Sequence, residues 1–171
     1  VNAKGARYVM QRPDEGENFI QGVHLDLINS AKEEILIANV FALFTKEMKL
    51  ALRRAAARGV KIIILTNGPI NDKGNPIVNT VSRFYYRDLV YGNHPDLDKE
   101  FDPTLKFPTD QIVIHEWNGR LQGETKPDIH IVMHSKFMVI DKTVGVVGSF
   151  NMDYASLKNL EQIVLFESEE L

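Results

Sequence analysis

The chain has 171 residues, enough for one domain with a single sizeable core, and its 44% hydrophobic and 25% charged content is that of an ordinary globular chain. A net charge of −3 gives no global pull toward nucleic acid or anionic membrane, and the absence of cysteine excludes disulfides and thiolate chemistry. No apolar run approaches the roughly 18 residues that span a bilayer, and no signal peptide is visible.

The chain opens on Val1 rather than Met, which reads as a processed product or a piece of a longer polypeptide. Residues 7–10 form a short β-type run, ended by Pro13 and Gly16. Phe19, Ile20, Val23, Leu27 and Ile28 then recur at helical spacing, so 18–30 is an amphipathic helix. His24 falls on that stripe and reads as a partly buried histidine bonded to a neighbour. Residues 34–40 are a continuous apolar strand of the kind buried in a parallel sheet. Thr45 caps a helix carrying Met48, Leu52 and Ala55, which Gly59 ends. Its basic residues, among them Lys46, Lys49, Arg53 and Arg54, are interspersed with Ala and Leu. They read as the solvated face of a helix on a sheet rather than as a lipid-binding helix.

Residues 60–65 form a second buried strand, completing a βαβ unit. Asn67 and Asp72 follow at its C-terminal end, where open α/β sheets bind ligands; they are rim residues or turn formers. Pro76 opens a helix over 76–91 with Gly92 after it. Its Phe84, Tyr85, Tyr86 and Tyr91 read first as core and rim, with base stacking or a lipid interface as other readings. Residues 92–110 are a long loop with no role assigned to His94, 111–117 are a strand, and 118–128 are a second loop.

The chemistry gathers in residues 134–151, HSKFMVIDKTVGVVGSFN. Residues 129–140 read as a strand, on which side chains alternate faces, so His134 and Lys136 project side by side and His130 shares their parity. An imidazole beside an ammonium suits a phosphate ester. The lysine holds non-bridging oxygens, and the histidine attacks phosphorus or gives a proton to the leaving oxygen. Asp141 ends the strand, and 144–147 return as a hairpin. That return delivers Gly148, which permits close backbone approach, and Ser149 and Asn151, whose side chains can donate to phosphate oxygens. Glu161, opening a last strand over 160–166, can orient the imidazole through its second nitrogen.

These residues resemble the phospholipase D superfamily, whose signature HxKxxxxD followed six residues later by GSxN stands here without a gap: His134, Lys136 and Asp141, then Gly148, Ser149 and Asn151. Glu161 matches a Glu that recurs about ten residues past the Asn. Ala31, the Arg58-Gly59-Val60 run and the Thr66-Asn67 turn are also similar to this family, so the likeness covers nearly the whole chain as one domain, 1–171, with one motif. It implies an α/β fold with a mixed, largely parallel sheet and helices on both faces. It implies catalytic roles for His134, Lys136, Asp141 and Glu161, and phosphate binding by Lys136, Ser149 and Asn151. In this family two motifs meet across a pseudo-twofold axis, one histidine becomes a phosphohistidine, the other serves as acid and base, and no metal or other cofactor is required. The second motif would come from an N-terminal half or from a homodimer mate. Residues 5–13 look like the start of the second half of a cardiolipin synthase-like phospholipase D. The implied function is a phosphodiesterase or phosphatidyltransferase acting on phospholipid, with peripheral membrane contact. A nuclease of the same superfamily and a non-catalytic dimerisation or lipid-binding half are the alternatives. A membrane-associated or a secreted bacterial setting would suit it. Two features depart from the cardiolipin synthase group: Ala155 stands where relatives commonly carry Arg before Ser, and the interval to Glu161 is one residue short.

Overall fold

The computed structural model describes residues 3–69, 76–91, 110–117 and 132–169. Asp72, His94, His130, Gly92 and nearly all of the two long loops lie outside them. The elements are β1 (Ala3–Gln11), α1 (Ile20–Ser30), β2 (Glu34–Asn39), α2 (Lys46–Ala57), β3 (Lys61–Asn67), α3 (Pro76–Tyr91), β4 (Ile112–Trp117), β5 (Lys136–Ile140), β6 (Val144–Gly148) and β7 (Glu161–Ser168). Short 3-10 turns lie at Pro13–Glu15 and Ser156–Lys158.

Local chemistry accounts for the element ends. Thr45 Oγ1 accepts the Met48 N–H at 3.3 Å, capping α2. The α2 chain leaves through Gly59 at φ 91°, a left-handed position that favours glycine. The Arg58 guanidinium reaches back to α1 and donates to the carbonyls of Ile28 and Asn29, both at 3.1 Å, taking up carbonyls that the helix end leaves free. On α3, Arg83 grips Glu116 of β4 in a two-point bond of 2.7 and 2.5 Å, and the Tyr86 hydroxyl donates to the same carboxylate.

All seven strands join one sheet in the order β1-β7-β6-β5-β2-β3-β4. The α/β class stands, but the sheet is not largely parallel. Only the β2–β3 and β3–β4 pairs are parallel, while β1–β7, β7–β6, β6–β5 and β5–β2 are antiparallel. Nor do helices cover both faces among the described residues. The crossovers β1 to β2, β2 to β3 and β3 to β4 all move the same way across the sheet, so right-handed connections place α1, α2 and α3 in one layer. That layer packs Ile20, Ile28, Met48 and Leu52 against Ile35, Ile37, Ile62, Ile64, Met138 and Ile140, all essentially buried. Each such side chain contributes roughly 1.5–3 kcal/mol by leaving water. No helix among the described residues is long and apolar enough to cross a membrane.

A second correction concerns β5, which begins at Lys136 rather than near residue 129; residues 132–135 are not in a strand. Its partner β2 ends at Asn39, which pairs with Lys136, so the chain before Lys136 has no further rung to join. His134 therefore sits on the segment leading into the strand.

Gly148 shows why β6 and β7 can approach so closely. A Cβ on it would lie 2.1 Å from the Gln162 carbonyl oxygen and 2.8 Å from Ile163 Cα, both backbone atoms. A Cβ on Gly145 would instead meet the Phe166 ring at 2.3 Å, a side chain that can turn aside. Gly148→Ala should therefore cost roughly 3 kcal/mol, the top of the overpacking range, and Gly145→Ala clearly less. Urea unfolding of both variants checks the ranking; equal losses would contradict it.

Candidate active site

The C-terminal ends of β2 and β3 and the N-terminal end of β5 share one edge of the sheet. Asn67, the last residue of β3, is buried there and uses its side chain as a two-point clamp. Its Nδ2 donates to the carbonyls of Met133 (2.8 Å) and Val40 (3.1 Å), and its Oδ1 accepts the Met133 N–H at 3.0 Å. This pins the backbone one residue before His134. Neither sequence reading of Asn67 fits: it is neither an open rim residue nor a turn former, but a buried brace.

His134 is exposed and Lys136 is half-buried. The Lys136 ammonium lies 3.2 Å from His134 Nδ1 and 3.3 Å from Nε2, and donates to the His134 carbonyl at 3.3 Å. The two side chains thus meet, as their spacing predicts. Burial lowers the Lys136 pKa, against the raising influence of Glu161 and Asp153. The two carboxylates favour the charged ammonium that burial disfavours.

The hairpin returns Ser149 to the same edge. Its N–H donates to the Gln162 carbonyl at 2.9 Å, its Oγ accepts the Gln162 N–H at 3.0 Å, and its hydroxyl donates to Glu161. Asn151 follows in a tight loop with Met152 at φ 58°, a left-handed conformation held by Ser156, whose Oγ accepts the Asn151 N–H at 3.0 Å. Asp153 in turn accepts the Ser156 N–H at 2.8 Å. Phe150, between the two candidate donors, is buried and stacks on His24 of α1, with ring centroids 5.4 Å apart. Gln11 of β1 ties the loop to the helix: its Nε2 donates to the Ser156 carbonyl at 2.8 Å and its Oε1 accepts the Ile20 N–H at 3.3 Å. His24 is more buried than its place on the stripe suggests, 2% exposed. Burial pushes its pKa down to about 4, against a raising bond from Nδ1 to the Ile20 carbonyl at 2.9 Å.

Glu161 is buried but does not bond the imidazole. It accepts from Ser149 and, at 3.5 Å, from Asn159 Nδ2. Its charge also acts on Lys136, raising the ammonium's pKa.

Asp141 lies elsewhere. It closes β5 at the other end, five residues or roughly 16 Å of strand from Lys136. Its carboxylate accepts the backbone N–H groups of Lys32 (2.9 Å), Glu33 (2.8 Å) and Glu34 (2.9 Å), and its own N–H donates to the Glu34 carbonyl at 2.8 Å. Burial would raise its pKa, but the three donors and the Lys32 charge outweigh it, and the carboxyl is held below its usual range. The structure thus brings His134, Lys136, Ser149, Asn151 and Glu161 to one edge and leaves Asp141 at the opposite end, bracing the start of β2.

Residues 24–171 match the family described as cardiolipin synthase, PLD-like domain. Cardiolipin synthase B of Salmonella typhi is 27% identical over 157 residues, which are 91% of this chain and 30% of that protein. The chain thus spans under a third of the curated relative it matches. The family match holds although Ala155 stands in place of the usual Arg. Among solved structures, phosphatidylserine synthase of Haemophilus influenzae Rd KW20 superposes with a TM-score of 0.65 at 13% identity, over 96% of this chain and 35% of that one. Nuc, a phospholipase D family member from Salmonella typhimurium, does so with 0.58 at 19% identity, over 96% and 84%. At these identities the structures show a shared fold.

Two stability measurements follow. Asp141→Ala should cost about 1 kcal/mol, because water takes over donors that are partly exposed. Since the folded pKa is depressed, that difference is full above the unfolded value of about 4 and shrinks as pH falls through the folded one. Parallel urea unfolding of wild type and variant across acid pH reads this, and a pH-independent difference would contradict it. For His24, whose pKa falls from 6.5 to about 4, the unfolded chain binds the extra proton between those values. Stability attributable to it is complete above pH 6.5 and declines by roughly 3 kcal/mol toward pH 4. His24→Phe should flatten this slope in the same assay.

Proposed function

The chain belongs to the cardiolipin synthase, PLD-like domain family, and from that premise we propose that its His134–Lys136 edge cleaves or transfers the phosphodiester of a phospholipid together with a second HxKxxxxD motif. The observation that supports the reading most directly is the Lys136 ammonium within 3.3 Å of both nitrogens of the His134 ring, beside the serine that Glu161 holds. The cation neutralises a non-bridging oxygen as charge builds there. The Asn151 amide adds a donor to the same phosphate, and Ser149 adds a second once its hydroxyl turns to it from Glu161.

The chemistry runs in two displacements. An imidazole nitrogen of one motif attacks phosphorus; the P–N bond forms as the P–O bond to the leaving alcohol breaks. The departing oxygen takes a proton from the histidine of the other motif. That second histidine then removes a proton from water or an acceptor alcohol, whose oxygen attacks phosphorus and expels the first imidazole. His134 fills one of these two roles. The partner histidine comes from an N-terminal half or a homodimer mate. Asp141 acts in this reading as a positioning residue, through β5.

The full-length protein assayed on phosphatidylglycerol in mixed micelles tests the proposal. His134→Ala should lower turnover by roughly 10²–10⁴-fold with the fold intact by circular dichroism, and chelator should leave the wild-type rate unchanged. Retained turnover in His134→Ala would overturn it. Steeply salt-dependent DNA binding and cleavage, with no lipid turnover, would transfer the site to a nuclease.

A further inference from the structure

We propose that Asn39 is a further anion-binding residue of this site, its side-chain amide donating to a non-bridging oxygen of the bound phosphate beside Lys136; the inference rests on reading the site as one for a phosphodiester. Asn39 is the last residue of β2, at the C-terminal end of a parallel strand, where ligands of open α/β sheets bind. It is 0% exposed. Its rung partner in the antiparallel β2–β5 pair is Lys136. Residues directly opposite each other share a face, with Cβ atoms about 5 Å apart.

The residue type is out of place for packing alone. The same face of β2 carries Ile35 and Ile37, paired with Ile140 and Met138 and buried in the core. The period-two pattern calls for another apolar side chain at the next position. An amide stands there instead, at the rung that also holds the site's cation. Its Oδ1 accepts the Phe41 N–H at 3.4 Å, but its Nδ2 is buried with no hydrogen-bond partner among the described residues. Buried donors are almost always satisfied, so an orphan at a sheet edge that binds ligands marks a missing acceptor.

The neighbouring groups do not supply that acceptor. Lys136 is itself a donor. Glu161 accepts from Ser149 and Asn159, and Asp153 accepts from the Ser156 backbone. Asn151 Oδ1 is also buried and unpartnered, yet it does not take the Asn39 donor. A phosphate oxygen satisfies both Asn39 and Lys136 at once, since an anionic oxygen accepts from two donors that cannot bond each other. To reach it, the Lys136 side chain swings from the His134 ring toward the phosphate and opens the space above Asn39.

Titration calorimetry of the full-length protein with inorganic phosphate tests this, with Asn39→Leu and Asn39→Asp as variants of nearly unchanged shape. Asn39→Leu removes the orphaned donor, so its thermal midpoint should be unchanged or higher, while its phosphate Kd rises about tenfold or more, which is 1.4 kcal/mol. Asn39→Asp places a carboxylate where the anion binds and should weaken phosphate further. Asn39→Leu binding phosphate as tightly as wild type overturns the proposal. So does loss of native circular dichroism in both variants, which would make Asn39 a structural residue. A wild-type protein that binds no phosphate and turns over no phosphodiester removes the proposed function as well, whereas wild-type turnover with unaltered binding by Asn39→Leu removes only the role of Asn39.

Discussion

The site depends on the way the Asp141 carboxylate fastens the start of β2. Three N–H donors from Lys32, Glu33 and Glu34 converge on it, and the Asp141 N–H returns a bond to the Glu34 carbonyl. These bonds fix where β5 begins to pair with β2. From that point the ladder runs Ile140–Ile35, Val139–Leu36, Met138–Ile37, Phe137–Ala38 and Lys136–Asn39. A slip of one residue would turn every side chain of β5 to the other face, carrying Lys136 away from Asn39 and Met138 out of the core. The H-x-K-x4-D spacing is thus a physical ruler. Its four intervening residues are the rungs between the brace and the lysine. From roughly 16 Å away the aspartate decides where the lysine emerges.

The second arm is held by burial rather than by charge. Asp141 and Lys142 turn the chain at φ 48° and 58°, closed by the bond from Thr143 N–H to the Ile140 carbonyl at 3.0 Å. Strand β6 then runs against β7 with Gly148 at the tightest point. Beyond it, Phe150 is the plug: buried and stacked on a neutral His24, it sets the depth to which the loop is drawn in. Ser149 and Asn151 flank that plug, and Ser156 and Gln11 hold the loop from below. An apolar anchor between two polar residues leaves both near the edge, just past the rung that pairs Val147 of β6 with Phe137 of β5.

Much of this was legible in the residues. Apolar runs and caps located the helices and most strands, and the motif located His134, Lys136 and Ser149. Outside the βαβ unit and the β5–β6 hairpin strand direction was not legible, because a buried apolar run looks the same in either sense; the antiparallel majority arises largely from long-range pairings such as Tyr8 with Val164. The start of β5 was misplaced because strand length depends on a partner that stops at Asn39. Where Asp141 and Glu161 stand was not legible either, because co-occurrence in a motif carries no distance: one carboxylate braces Lys32–Glu34 and the other accepts from Ser149. Asn67 and Asn39 escaped for a related reason: asparagine ordinarily signals a turn, and only burial shows that one clamps Met133 and the other holds an unpaired donor.

Displacement at phosphorus places the attacking and leaving atoms roughly in line, on opposite sides of the phosphate. This edge is built for one side. Asn39, Asp153 and Glu161 are each less than 10% exposed and form its floor, while His134 stands at the exposed rim. An imidazole at that rim reaches one face of a phosphate resting on Lys136. In the proposed mechanism it does not also protonate an oxygen departing from the opposite face, and Glu161 is engaged by Ser149 and Asn159. In the proposed mechanism the proton donor approaches from beyond this edge. The proposed second motif, facing it across a twofold axis, would bring a histidine to that position. In-line geometry thus supports the proposal of a shared site beside the resemblance.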